Sequence, residues 1–335
     1  MAKKKNQHFV PVFYLKNWSE DKKFINTHLI STNEEKIAAI SDQTSKKYLY
    51  GSNPYVEDLL GSLECTVNLI LKKLIDGDIV STRLTAAEQS WIKGFMGIAV
   101  HRTIWRSRDF SCTMDEIFKM HLGLTDSEFV DVLQDWSEYK KIKFSFEAYM
   151  KKMIPLCLML TDDLRMFICE IEGELWTSDN PVVFINKCAN RLGINALGLA
   201  SEGLIMYMPI SPNKFILAYD SNVYDVNPSE IDVDELNKIM AENAVNVVYY
   251  KSLKPNYVKT KEPENLFATA SYKGKNYYGF GQRRLKNEFN DKFISLKQEC
   301  IVDSLCLVNS EKLQGFKMRT AATKIYKEYR TNKKM

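Results

Sequence analysis

Six side chains in this chain are of the kinds that move protons or steady phosphate: His8, Glu64, Arg102, Ser178, Asp179 and Asn180. His8 lies in "NQHFVPVFYL", close to the first residue, and is one of four histidines in the chain. Imidazole exchanges a proton near neutral pH, which suits general acid or base work. Glu64 and Arg102 interrupt apolar stripes on two expected helices. Leu60, Val67, Leu71 and Leu74 mark the first stripe; Trp91, Phe95, Ile98 and Trp105 mark the second. An unpaired buried charge is costly, so the two are expected to meet or to share a polar pocket. Ser178, Asp179 and Asn180 stand before a proline in "TSDNPVVF", three hydrogen-bonding side chains at a strand end.

Taken together, these types fit an enzyme on nucleic acid or a phosphate ester. His8 would serve as acid or base, and Glu64 and Asp179 would offer oxygens to a magnesium-type ion. Arg102 would offset the phosphoryl charge. Each also has a plainer reading: a buried ion pair for Glu64 and Arg102, a hydrogen-bonded structural histidine for His8, and a turn for residues 178–180. His8 opens a segment marked extended by Pro11, and it is expected to meet the 178–180 turn at one sheet edge. His101, one position off its stripe, reads as a packing residue.

These side chains need a frame, and the chain punctuates one clearly. "KFINTHLI" alternates like a short strand, so residues 7–31 form a small β element. Asn53 and Pro54 open a helix that Asp76-Gly77 stops. Thr85 to Glu88 is a capping box for a helix to about Arg108, and Thr125 to Glu128 is another for a helix to about Lys141. A further helix covers about Phe146 to Leu160. From Arg165 onward the pattern turns to short β runs, with turns at Glu172-Gly173 and Pro212-Asn213. "DVDELNKIMAENAVNVVYY" reads as a helix followed by a strand. The expected class is α+β: a small N-terminal β element, a central helical bundle, then a mainly antiparallel sheet with helices. Residues 1–255 are expected to form the main domain. Residues 256–335 would be a basic, Tyr-rich and helical extension.

Composition narrows the classes. At 335 residues, 45% hydrophobic and 26% charged, the chain can bury a large core. Its longest apolar stretches, such as "VNLILKKLI", are cut by lysines short of the roughly 20 residues a membrane helix needs. The opening segment is too polar and aromatic for a signal peptide, so a cytoplasmic location without membrane attachment is expected. Seven cysteines, none in Cys-x-x-Cys spacing, read as core residues of a reducing compartment. Net charge is +4, but seven Lys and Arg against one Glu lie from Lys317 onward. That tail is a candidate contact for nucleic acid or another polyanion. No glycine-rich phosphate loop, nucleophile elbow or His-Glu-x-x-His occurs, which argues against kinase, dehydrogenase and zinc-hydrolase readings.

The segments "QHFVPVFYL", "FMGIAVHRT", "LWTSDNPVVF", "MYMPISPNKFIL" and "LNKIMAENAVNVVYY", with Glu64 between the first two, resemble the domain of unknown function 4238 family. The resemblance runs over about residues 7–250. Phe9 meets the family's aromatic position after the histidine. Val12 departs from its usual polar residue after the proline and should carry no function. The resemblance implies a fold unit and brings no established reaction, cofactor or metal. Beside the enzyme reading stands a second one, a non-catalytic binding or sensor module of a prokaryotic defence or toxin system. There the segment Tyr272 to Arg284 would touch a partner.

Overall fold

The computed structural model describes residues 5–77, 83–108, 145–187, 198–256 and 289–297, with isolated residues and a few strand backbones outside them. The architecture is α+β, as expected. Its centre is an antiparallel sheet of four strands in the order β5-β9-β8-β7, formed by Arg165–Glu170 (β5), Val183–Ile185 (β7), Ile205–Ser211 (β8) and Lys214–Tyr219 (β9). Every residue of β8 and β9 is buried. Alternation explains why both strands are apolar throughout. Met206, Met208, Ile216 and Ala218 enter one core, while Ile205, Tyr207, Phe215 and Leu217 enter another on the opposite face.

The first core is roofed by three helices, Tyr55–Asp76 (α2), Ala86–His101 (α3) and Phe146–Leu160 (α4). Leu60, Val67, Leu71 and Leu74 of α2 are buried, as their spacing predicts. Asn53 accepts from the Tyr55 N–H at 3.0 Å, and the capping box of Thr85 and Glu88 closes α3. The stripe expected on α3 is wider than its pattern suggested. Trp91 is exposed, and Ile92, Met96, Ala99 and Val100 join Phe95 and Ile98 inside. The helix also stops at His101 with Arg102 as its C-cap, and helical residues resume at 104–108. The second core is closed by Val233–Asn243 (α5) and by Phe289, Phe293 and Ile294.

A second four-stranded sheet has the order β3-β2-β11-β6: Glu34–Ala39 (β3), Phe24–Leu29 (β2), Val247–Tyr250 (β11) and Thr177–Ser178 (β6). The N-terminal β element is therefore not a separate unit, because its hairpin extends a sheet whose other strands come from residues 177–250. Asn6–His8 (β1) lies outside that sheet and pairs with Ser45–Lys47 (β4) in a two-stranded ribbon. Pro11, expected to exclude helix, instead caps the short helix Val12–Leu15 (α1), since its fixed φ and missing N–H suit a helix start. The Tyr14 hydroxyl of α1 reaches the Thr177 hydroxyl at 2.7 Å and the Pro209 carbonyl at 2.6 Å, stitching the N-terminal segment to both sheets.

Thr125 and Glu128 make their capping box, but the rest of that expected helix and most of the basic tail lie outside the described residues. Among the described residues no helix is long and apolar enough to cross a membrane. Helices α3 and α4 pack closely at Gly94, where an added Cβ would lie 3.2 Å from the Leu158 Cα. Gly94→Val should therefore lower stability by about 1–3 kcal/mol through overpacking. Urea unfolding midpoints test this, and an unchanged midpoint would mean that the two helices have room to separate.

Candidate functional site

Gln7 and His8 leave the ribbon in opposite directions, and both are tied down. The buried Gln7 amide accepts from the Tyr50 N–H at 2.7 Å and donates to the Gly51 carbonyl at 3.2 Å. His8 is half-buried, and its Nδ1 lies 3.2 Å from the Gln43 carbonyl. A carbonyl only accepts, so Nδ1 carries the hydrogen and Nε2 keeps its lone pair. Nε2 bonds to none of the described residues. Burial lowers the His8 pKa from its ordinary value, with the Arg102 charge adding to the effect and the Gln43 bond opposing it.

Arg102 holds the backbone beneath His8. Its guanidinium is buried and divides its hydrogens among three acceptors: Glu64 Oε1 at 2.5 Å, the His8 carbonyl at 2.6 Å and the Tyr50 hydroxyl at 3.2 Å. The pairing expected from the two stripes is thus present, and it includes His8. Tyr50 is fully buried, and desolvation pushes its phenol up to about 12, so it stays a neutral bridge.

The residue after Gln43 is unusual. Thr44 has φ of 51°, a left-handed conformation that a β-branched side chain rarely adopts. Two bonds hold it there: its hydroxyl donates to the Val10 carbonyl at 2.9 Å, and its own carbonyl accepts from the Phe9 N–H at 2.8 Å. The strained link aims the Gln43 carbonyl at the imidazole. Gln7, Gln43, Thr44 and Tyr50 were not among the residues that sequence reasoning selected. Gln7 adjoins His8 in the quoted motif, but no sequence signal marks the other three.

Ser178, Asp179 and Asn180 form a different network. Both Asp179 carboxylate oxygens are engaged, accepting from Val245 N, Asn246 N and Asn246 Nδ2 at 2.9, 2.9 and 3.0 Å. Burial raises its carboxyl pKa, and these donors oppose the rise. The Ser178 hydroxyl accepts from the Asn180 N–H at 3.1 Å, and the Asn180 and Asn243 side chains each donate to the other's main chain. No hydrogen bond joins these three residues to His8. The link is indirect: Tyr249 on β11, opposite Thr177, donates to the Gln43 side chain at 3.3 Å. Glu64 and Asp179, expected to hold a cation together, stand in separate networks. Among the described residues no group of three His, Cys, Asp or Glu side chains is arranged to hold a metal ion.

The family model described as protein of unknown function (DUF4238) matches residues 6–254. The chain belongs to that family. The matched stretch opens on the first residue of β1 and contains His8, Glu64, Arg102 and the 178–180 junction. No curated protein and no solved structure matches the chain.

Arg102→Met would strand the Glu64 carboxylate and leave the His8 carbonyl with the Tyr50 hydroxyl alone, and it should cost about 3–5 kcal/mol. Glu64→Gln keeps an acceptor on a side chain that partly reaches solvent, and it should cost about 1–2 kcal/mol. Chemical unfolding of both variants checks the order; small, equal losses would refute it.

A pH dependence follows from the histidines. His101 is held well below its ordinary 6.5 by burial and by the Arg106 charge, and burial also lowers His8 and His28. As pH falls through about 6.5, the unfolded chain takes up protons first, so the stability present above that value declines. Melting temperature should drop between about pH 7.5 and 5.5, and drop less in His101→Gln. An equal drop in both proteins would clear His101 of the effect.

Proposed function

We propose that the protein is a hydrolase acting on nucleic acid or another phosphate ester, with the His8 imidazole as general base. The observation that carries this reading is the ring itself. Its Nδ1 is tethered to Gln43, its pKa is lowered, and its Nε2 lone pair is unclaimed by any described residue. A neutral imidazole held in one tautomer takes a proton from the water that attacks phosphorus. Backbone strain at Thr44 supports the same assignment, because strained residues gather where a side chain must be aimed. Arg102 and Glu64 then act by fixing the His8 main chain. Ser178, Asp179 and Asn180 act by fixing the β6–β11 junction that sets Tyr249 against Gln43.

A second reading, a non-catalytic binding or sensor module, is favoured by one observation. Each guanidinium nitrogen of Arg102 and both carboxylate oxygens of Asp179 bond to protein partners, which suits a rigid scaffold. Assays with labelled single- and double-stranded oligonucleotides and a nitrophenyl phosphodiester, each with magnesium and with chelator, separate the two. Hydrolysis should fall about 100-fold or more in His8→Gln. The wild-type rate should decline in acid with an apparent pKa below 6.5, because the protonated ring cannot accept. Salt-sensitive oligonucleotide binding without turnover in any arm would favour the module instead.

A further inference from the structure

The ribbon that carries His8 is edged with lysines. Its rungs pair His8 with Ser45, Gln7 with Lys46 and Asn6 with Lys47, and the Tyr48 N–H donates to the Lys5 carbonyl at 2.9 Å to add one more. Lys5, Lys46, Lys47 and Tyr48 are all exposed. Alternation puts Lys47 on the same face as His8 and Lys46 on the other, so the positive charge wraps the ribbon. At about 3.3 Å per residue, the four rungs run about 10 Å from Tyr48 to His8.

Two observations mark this strip. Lys5, Lys46 and Lys47 make no ion pair with any described residue. Other exposed lysines, Lys72 and Lys238 among them, also lack one, but here three lie within four rungs of one ribbon. Tyr48 supplies the second observation. It is 41% exposed and has φ of 52°, so an aromatic ring is held out in a conformation that normally belongs to glycine or asparagine. Lysines that meet phosphates beside an aromatic face that stacks a base are the parts from which single-strand binding surfaces are made.

We propose that Lys5, Lys46, Lys47 and Tyr48 form a docking strip for single-stranded nucleic acid, leading the strand toward His8. The proposal rests on the hydrolase reading for its direction but not for its binding. The lysines take the backbone phosphates, and the Tyr48 ring takes one base. Because every base has a stacking face, the strip is sequence-tolerant.

Fluorescence anisotropy with a labelled oligothymidylate tests this on the full chain at several salt concentrations. Combined Lys5→Glu, Lys46→Glu and Lys47→Glu should weaken binding at least 10-fold and flatten the salt slope by about 2, the value for three single-strand phosphate contacts. Tyr48→Asn keeps a residue that tolerates the left-handed backbone while removing the ring. It should weaken oligothymidylate about 5-fold or more and leave competition by inorganic polyphosphate unchanged. Wild-type affinity and slope in the triple variant would overturn the proposal, as would absence of binding by the wild type at low salt. Loss on charge reversal without any effect of Tyr48→Asn would also overturn it, reducing the strip to a general polyanion patch. Binding that follows these expectations while no substrate is turned over would sink the hydrolase reading and leave the strip standing. Turnover that survives charge reversal with unchanged KM would do the reverse.

Discussion

A buried guanidinium organises the N-terminal half of this protein. Arg102 sits buried where α3 ends, and its guanidinium nitrogens need acceptors within the protein. Glu64 supplies a charge, Tyr50 a hydroxyl and His8 a main-chain carbonyl. Each acceptor comes from a different element, so satisfying one side chain fixes three backbones. The arrangement holds the His8 main chain against the end of α3.

The same logic recurs with other buried cations. Lys214 leaves β9 and donates to the Ile75 and Gly77 carbonyls at 2.9 Å each, satisfying the C-terminal end of α2. Lys187 donates to the Phe289 and Ile294 carbonyls and to Asp291, binding the chain after residue 288 onto the second core. Helix ends expose carbonyls that lack partners, and a buried cation answers several at once. The central sheet can therefore be apolar on both faces while the polar groups at its margins remain paired.

The sequence announced its helices better than its connections. The Asn53-Pro54 turn, the capping box at Thr85 and the glycine after Asp76 act locally, so the ends of α2 and α3 could be read from a few neighbours. Glu64 and Arg102 were legible for a related reason, since a charge within an apolar stripe demands a partner. The Ser178-Asp179-Asn180 segment was legible as polar and strand-ending, but its partners at 243–246 lie more than 60 positions away and carry no periodic signal. Thr44 was invisible, because nothing in a threonine forecasts a left-handed backbone. Pro11 misled because proline both forbids helix interiors and favours helix starts, and only the chain beyond it decides between them.

One feature of the topology bears on how the protein is born. Strand β2 pairs with β11, and the Asn26 side chain donates to the Lys251 carbonyl 225 positions away. A ribosome releases β2 long before β11 exists. During that interval the β2–β3 hairpin has one edge open and the exposed Phe24 and Ile37 already in place. Contacts between such distant segments form slowly, and an open edge invites pairing with other nascent chains. Lys36 and Glu34 on β3 place charge along the hairpin's other edge, which leaves β2 as the edge still open to strangers until β11 arrives.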